Sequence, residues 1–271
     1  MSFDLSDGHR FLQIMKRYCI DYVNVGDQAV TRDLMVEDYV LHMGAYEVVG
    51  RDTAYFDATA SLMAQYPGLM LTLHEIATSG ERLMMRFSEH GRRAKDGAFC
   101  AWGGIALYRW NGDKLVHCSV EQDYWSRRRQ IETGRVDPID APAPAPWRVD
   151  PQPASPDAEA VVRAWLIGGG LAITPAVRCD DTWATGQSMR ALDQERIDIL
   201  DIFSAGEKVA FRVEQHGRVA DDFAIGKQGQ GASLHATGIV HVRDGRVHAG
   251  RAIRNRFDMG KRLGVATSIG A

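Results

Sequence analysis

Side chains that can move protons alternate along one stretch of this chain. From Leu115 to Asp123, the two-residue period of an extended strand puts Leu115, His117, Ser119, Glu121 and Asp123 on one face, and Val116, Cys118, Val120 and Gln122 on the other. An imidazole, a hydroxyl and two carboxylates in a row suit general acid–base chemistry if they wall a pocket. They suit water if they cover a half-wet antiparallel sheet. A carboxylate held in an apolar pocket is costly to ionise and is therefore a better proton acceptor near neutrality. Glu121 and Asp123 are the candidate carboxylates on this face, and His42, Tyr22 and Tyr39 are candidate hydrogen-bonding groups from other parts of the chain. Tyr18, Tyr55, Trp102, Arg51, Glu121 and Trp125 are candidates to line the binding pocket. One β-bulge after Cys118 would reverse every side chain beyond it, so strand phase alone leaves both readings open.

The elements that must position these residues are readable in order. Phe11, Leu12, Met15, Tyr18, Cys19, Tyr22 and Val23 follow helical spacing, with Ser6 or Asp7 as cap and a stop near Gly26. A short helical piece over Thr31 to Glu37 leads to a strand from Asp38 to Gly44 that carries His42. Gly50-Arg51-Asp52 opens an amphipathic helix with Tyr55, Ala58, Leu62 and Met63 inward, ended by Pro67-Gly68. Strands are predicted at 69–76, 82–89 and 99–110. Asn111-Gly112 supplies the tight turn of a hairpin whose second arm is the stretch ending at Asp123. Helices first and an antiparallel meander afterwards give an α+β order.

At 271 residues, 45% hydrophobic and 25% charged, the chain has material for two globular domains. A net charge of −3 makes no electrostatic case for nucleic acid or an anionic membrane. The run Arg127-Arg128-Arg129 reads as a solvated face or the partner of a helix end. Cys19, Cys100, Cys118 and Cys179 are scattered without a Cys-x-x-Cys pair, as small core residues in a reducing compartment would be. With acids where a signal peptide needs a basic start, and no long uninterrupted apolar run, the expected location is cytoplasmic. No His-Glu-x-x-His spacing suggests a metal, and Gly168-Gly169-Gly170 lacks the Lys-Ser/Thr of a phosphate loop, so neither metal nor nucleotide cofactor is expected. His74 reads as structural. His90 and His216, each before a Gly, read as turn features.

Seven of the 9 prolines fall between Asp137 and Pro156, an Ala-Pro-rich stretch that reads as an extended linker. A new helix starts at Ser155-Pro156-Asp157-Ala158-Glu159. The second half then repeats the first. Arg86-Phe87-Ser88-Glu89-His90-Gly91 corresponds to Arg212-Val213-Glu214-Gln215-His216-Gly217, and Trp110-Asn111-Gly112 to Arg243-Asp244-Gly245. The expected organisation is a domain over 1–136, a linker over 137–156 and a degenerate copy over 157–271. In that copy, Asp180-Asp181-Thr182-Trp183 stands where the first half has His42, Asp52, Tyr55 and a full helix. Asn255 stands in place of Asp123.

The order and spacing of Asp38-Tyr39-Val40-Leu41-His42, Gly50-Arg51-Asp52, Tyr66-Pro67-Gly68-Leu69, Leu73-His74-Glu75-Ile76, Gly80-Glu81-Arg82 and Asp123 to Gln130-Ile131 resemble the SnoaL-like and ketosteroid-isomerase-like proteins of the nuclear-transport-factor-2-like superfamily. The resemblance implies two tandem cone-shaped α+β barrel domains, each with helices packed on a curved antiparallel sheet around an apolar pocket. It implies a carboxylate base working without metal or organic cofactor, and maps that base onto Asp123 and the strand histidine onto His42. After the Asp, the cyclase pattern is mostly apolar, whereas here it reads Tyr124-Trp125-Ser126-Arg127-Arg128-Arg129, which points away from a polyketide substrate. The implied activity is that of a cofactor-free lyase or isomerase on a small aromatic or polycyclic hydroxylated substrate. Dehydration, or formaldehyde release from a lignin-derived diarylpropane, would be specific cases. The alternative is a non-catalytic module that binds a small ligand or a partner protein. The second half would serve as a built-in dimer partner, and homo-oligomerisation is left open.

Overall fold

The computed structural model of the chain describes residues 8–171, 176–180, 190–221 and 223–265. Ser6, Asp7, Asp181, Thr182 and Trp183 lie outside them. The first half forms one mixed sheet from β1 (Met35–Met43), β2 (Tyr46–Val49), β3 (Met70–Thr78), β4 (Arg82–Arg92), β5 (Phe99–Trp110) and β6 (Leu115–Gln122), in the order β2-β1-β6-β5-β4-β3. All neighbours are antiparallel except β1 and β6, which run parallel.

Helix α1 (Arg10–Arg17), capped by His9, runs on into a wider π-type segment over Tyr18–Asn24. The expected helix over Thr31 to Glu37 shortens to α2 (Thr31–Leu34), because the chain turns extended at Met35 and the Val36-to-Val40 stretch joins the sheet. The helix expected from Gly50 is kinked at Thr53 and becomes regular only as α3 (Phe56–Gln65). A further helix, α4 (Tyr124–Thr133), follows β6. Its buried side is Ser126, Arg127 and Gln130, so no apolar stripe announced it.

The second half repeats the arrangement with α5 (Pro156–Ile167), β7 (Val177–Cys179), β8 (Leu192–Ala205), β9 (Lys208–Val219), β10 (Gly231–Arg243), β11 (Arg246–Arg254) and α6 (Arg256–Arg262). Its sheet order is β7-β11-β10-β9-β8, and β7 pairs parallel with β11 as β1 does with β6. His90 and His216 sit within β4 and β9, bonded to Thr72 and Asp198 across the strand pair, rather than at turns. Residues 137–156 contain one short helical turn, Pro146–Arg148, and are tied down along their length. Ala143 N–H donates to Leu73 O at 2.8 Å, and Gln152 N–H to Thr78 O at 2.9 Å. Asp140 accepts from both Arg86 and Arg251, one from each half.

Each sheet has a helix-covered face with its own apolar core, and the two sheets meet on their other faces. Ala77, Met84, Ile105 and Leu107 of the first half pack there against Phe203, Ala205, Ala210, Ile239 and Ile253 of the second. Strict alternation makes this possible. In β4, Leu83, Met85 and Phe87 point to the helix side while Met84 points to the other sheet. No helix among the described residues is long and apolar enough to cross a membrane.

On the helix side, the Phe87 ring lies across Gly104 of the neighbouring strand, its cross-strand partner, where a Cβ would come within 2.4 Å of the ring. Gly104→Ala must therefore push Phe87 off its rotamer. The expected loss is about 1–3 kcal/mol, read as a lower urea midpoint. An unchanged midpoint would show that the ring has room to move.

Candidate functional site

Between the helix-covered face of the first sheet and the helices lies a cavity of about 240 Å³. Its walls come from β1 and β2 (Leu41, Met43, Tyr46, Val48), α3 (Ala58, Thr59, Leu62) and the sheet interior (Leu71, Met85, Phe87, Val120), so it is mainly apolar. Polar groups enter at Tyr18, Tyr55, Tyr108, Gln122, Tyr124 and Glu89. Glu89 is the only one of these that carries a full charge when ionised near neutrality.

Glu89 reaches the cavity because it shares a strand face with Leu83, Met85 and Phe87. Across the strand pair it faces Trp102, whose indole N–H donates to Gln122 Oε1 at 2.7 Å. Glu89 Oε2 is buried and has no hydrogen-bond partner among the described residues. Burial pushes its carboxyl up to about 7, against the opposing pull of the Arg127 charge and of Trp102 and Gln122. Its signal was present in the sequence as a carboxylate in phase with an otherwise apolar strand face, where only a partnered or working acid is tolerated.

The phenols form a second polar group. Tyr18 and Tyr55 hydroxyls are 3.2 Å apart, and Tyr39 packs edge-on to Tyr55. Desolvation raises Tyr18, Tyr39, Tyr55 and Tyr108 well above the usual phenol range and raises Tyr22, so all five are donors near neutral pH. The Tyr22 and Tyr39 hydroxyls are buried without a hydrogen-bond partner among the described residues, next to the cavity wall rather than on it. Trp102 likewise stands behind the wall, holding Gln122.

The remaining expected residues are brought together elsewhere. No bulge follows Cys118, and the irregularity in the β5–β6 pairing lies at its other end, near Trp110. Cys118, Val120 and Gln122 consequently face the cavity, while His117, Ser119, Glu121 and Asp123 face away from it. Asp123 caps α4 by accepting from Ser126 N–H at 3.0 Å and Ser126 Oγ at 2.9 Å, and is ion-paired with Arg256 of the second half. Glu121, fully buried, accepts from Gly44 N–H at 2.9 Å and from Asn255 Nδ2 at 2.7 Å. His42 is on the same outer face, bonded to His117 at 2.8 Å and to Glu47 at 2.8 Å. Arg51 binds Asp52 and the Met35 carbonyl. Trp125 packs into a cluster of second-half residues around Leu192, Leu234 and Met259. The correction to the strand-phase expectation is geometric: the polar face of β6 is neither solvent-facing nor pocket-facing, because the other sheet covers it.

The second half lacks the same polar set. Pairing places Gln215 at the position of Glu89, and Arg254 at that of Gln122. Asp180 takes the place of Gly44, with the same left-handed backbone. Arg254 and Asp180 form a buried ion pair with bonds of 2.6 and 3.0 Å. Among the described residues no cluster of three or more His, Cys, Asp or Glu side chains is arranged to hold a metal ion.

Glu89 also leaves a mark on stability. Its carboxyl rises from an ordinary 4.5 to about 7 on folding, so the folded state binds the proton more tightly. Below pH 4.5 the group is neutral in both states and costs nothing. As pH rises through 7 the cost is fully present, roughly 3 kcal/mol at most. Glu89→Gln should therefore be more stable than the parent in urea at pH 8, with the gap closing by pH 4. A gap that does not change with pH would contradict a buried, titrating Glu89.

Residues 16–118 match the model of the SnoaL-like domain. No curated protein sequence matches the chain. Among solved structures, a candidate SnoaL-like polyketide cyclase from Jannaschia sp. CCS1 is similar at 12% identity and TM-score 0.41, over 46% of this chain and 93% of that one. IdmH, a candidate polyketide cyclase from Streptomyces antibioticus, is similar at 15% identity and TM-score 0.43, over 46% of this chain and 100% of that one. A third, from Acidithiobacillus ferrooxidans, shares 15% identity at TM-score 0.42, over 50% of this chain and 100% of that one. The residues that match the SnoaL-like domain model, 16–118, run from the end of α1 to the middle of β6 around the cavity.

Proposed function

We propose that this chain is an acid–base catalyst, a cofactor-independent lyase or isomerase, in which Glu89 moves a proton on a small, uncharged hydroxylated aromatic or alicyclic substrate. The observation that carries this reading is the unpartnered, buried Oε2 of Glu89 on an apolar cavity whose other polar groups are neutral hydrogen-bonding groups, chiefly phenols. A carboxylate titrating near 7 is matched to accept a proton from a substrate C–H or O–H and return it to a leaving hydroxyl or a neighbouring carbon. The Tyr18–Tyr55 pair, with Tyr108, can donate to the oxygen on which negative charge develops. The resemblance to ketosteroid-isomerase-like proteins supports the same division of labour, with Glu89 in the role first assigned to Asp123.

The cavity also limits the substrate. A lining whose one full charge is a carboxylate disfavours anions, and a volume of about 240 Å³ lies below the usual range of roughly 300–1,000 Å³ for drug-sized ligands. Dehydration or double-bond migration in a one- or two-ring compound fits that space better than formaldehyde release from a diarylpropane.

The test is mass spectrometry and chromatography of products after incubation with a panel of hydroxylated one- and two-ring compounds. Glu89→Gln should lower turnover about a hundred- to ten-thousandfold. Asp123→Asn should lower stability while leaving turnover per folded molecule near the parent's. In the parent, kcat/KM should rise with pH through about 7 as Glu89 ionises. Full turnover in Glu89→Gln would overturn the assignment. Tight binding of a panel compound without conversion would favour the ligand-binding module instead.

A further inference from the structure

The basic run Arg127-Arg128-Arg129 does not form a solvated face. Arg128 stacks on Trp125 and pairs with Glu132, and Arg129 pairs with Asp137, but Arg127 turns inward and is only 9 % exposed. Its guanidinium carbon lies 4.2 Å from the Tyr124 ring centroid, 4.7 Å from that of Trp102 and 5.4 Å from that of Tyr66. Two of its nitrogens, Nε and Nη1, are buried with no hydrogen-bond acceptor among the described residues. A guanidinium withdrawn from water and left short of acceptors is costly, and ring faces repay only part of that cost.

The cage is rigid. Asp123 fixes the start of α4 one turn before Arg127. Gln130, one turn beyond, clamps the helix to β5 through Ala101, accepting from its N–H at 3.0 Å and donating to its carbonyl at 2.6 Å. Trp102 is at once a wall of the cage and the cross-strand neighbour of Glu89. The buried cation and the buried carboxylate therefore share one indole as a neighbour.

We propose that Arg127 is a positioning residue for the cavity, its caged guanidinium serving as the counter-charge that holds the Glu89 carboxylate in its ionised form. This deepens the reading of Glu89 as proton acceptor and rests on it. The groups around Glu89 are Cys19 and Tyr22 from the π-type segment that continues α1, Trp102 from β5, Gln122 from β6, and Tyr124 and Arg127 from α4. Burial pushes Cys19, Tyr22 and Tyr124 up, so they are neutral when Glu89 titrates. Arg127 is the cation of the set. With it removed, the carboxylate would face neutral groups alone and would hold its proton to higher pH.

The titration of Glu89 can be read without a substrate. Infrared difference spectra of the parent against Glu89→Gln isolate the Glu89 carboxylic-acid stretch, which is then followed against pH. In Arg127→Met the midpoint should rise by about one pH unit or more, a tenfold change in the ionisation constant. Arg127→Gln, planar and neutral, should give the same rise and serves if the Met variant does not fold. A midpoint equal to the parent's in either folded variant would overturn the proposal. Failure of the catalytic reading is separately visible: unaltered turnover in Glu89→Gln would refute the base while leaving the infrared result to judge the pairing.

Discussion

From Cys118 onward, neither face of β6 is left for water. Cys118, Val120 and Gln122 point into the cavity of the first half, while Ser119, Glu121 and Asp123 are pressed against the second. An antiparallel sheet with helices on one side would ordinarily leave the other wet. Here a second sheet covers it, and the acids on that side must be satisfied across the junction: Asp123 by Arg256, Glu121 by Asn255 and the Gly44 amide. Arg212 reaches back to the Gly44 carbonyl at 3.1 Å, and a side chain at Gly44 would meet Asn255 at 2.9 Å. The turn between β1 and β2 is thus held from both sides. Removing one partner of such a buried pair is costly, so the halves constrain each other at the level of charge as well as packing.

That constraint separates two kinds of buried carboxylate that composition cannot tell apart. Glu121 and Glu89 are both pushed up to about 7 by burial, yet both oxygens of Glu121 are bonded while Oε2 of Glu89 is not. Partnering, more than titration, distinguishes a group that joins two sheets from one that is available to a ligand. In the second half the corresponding strand carries Gln215, bonded to Gln194 at 2.9 Å, and the Arg254–Asp180 pair stands where the first half has Gln122 and Gly44. The second half's helix α6 meanwhile touches two residues that line the cavity: Lys261 donates to the Tyr46 hydroxyl at 2.8 Å, and Phe257 packs edge-on to Tyr124.

Much of the architecture was legible because it rests on local rules. The Asn111-Gly112 turn, the alternation in β4 to β6, the helix start at Ser155-Pro156 and the repeat of Arg86–Gly91 in Arg212–Gly217 are short-range signals. The face assignment was legible from His117 to Asp123, but the irregularity near Trp110 puts Leu115 on the helix side with Cys118 and Val120 instead of with His117. What that face touched was not legible, since period two sorts side chains into two sets without saying which set has a ligand and which has another sheet. His42 and Asp123 share the outward phase, whereas Tyr18 and Tyr55 reach the cavity from helices on its far side. Arg127 was hidden by its neighbours, because a run of three arginines looks wet until the helix phase and the rings around it are known.

The central claim is that ligands meet Glu89 and not the acids at the junction between the sheets. The most direct measurement is ¹³C NMR of protein labelled at glutamate Cδ, titrated with 2-naphthol, a neutral two-ring phenol of suitable size. Resonances are assigned from Glu89→Gln and Glu121→Gln. The account predicts that the Glu89 signal moves as the naphthol saturates, while the Glu121 signal stays in place. Movement of Glu121 with Glu89 unchanged, or no movement of Glu89 at saturation, would contradict it.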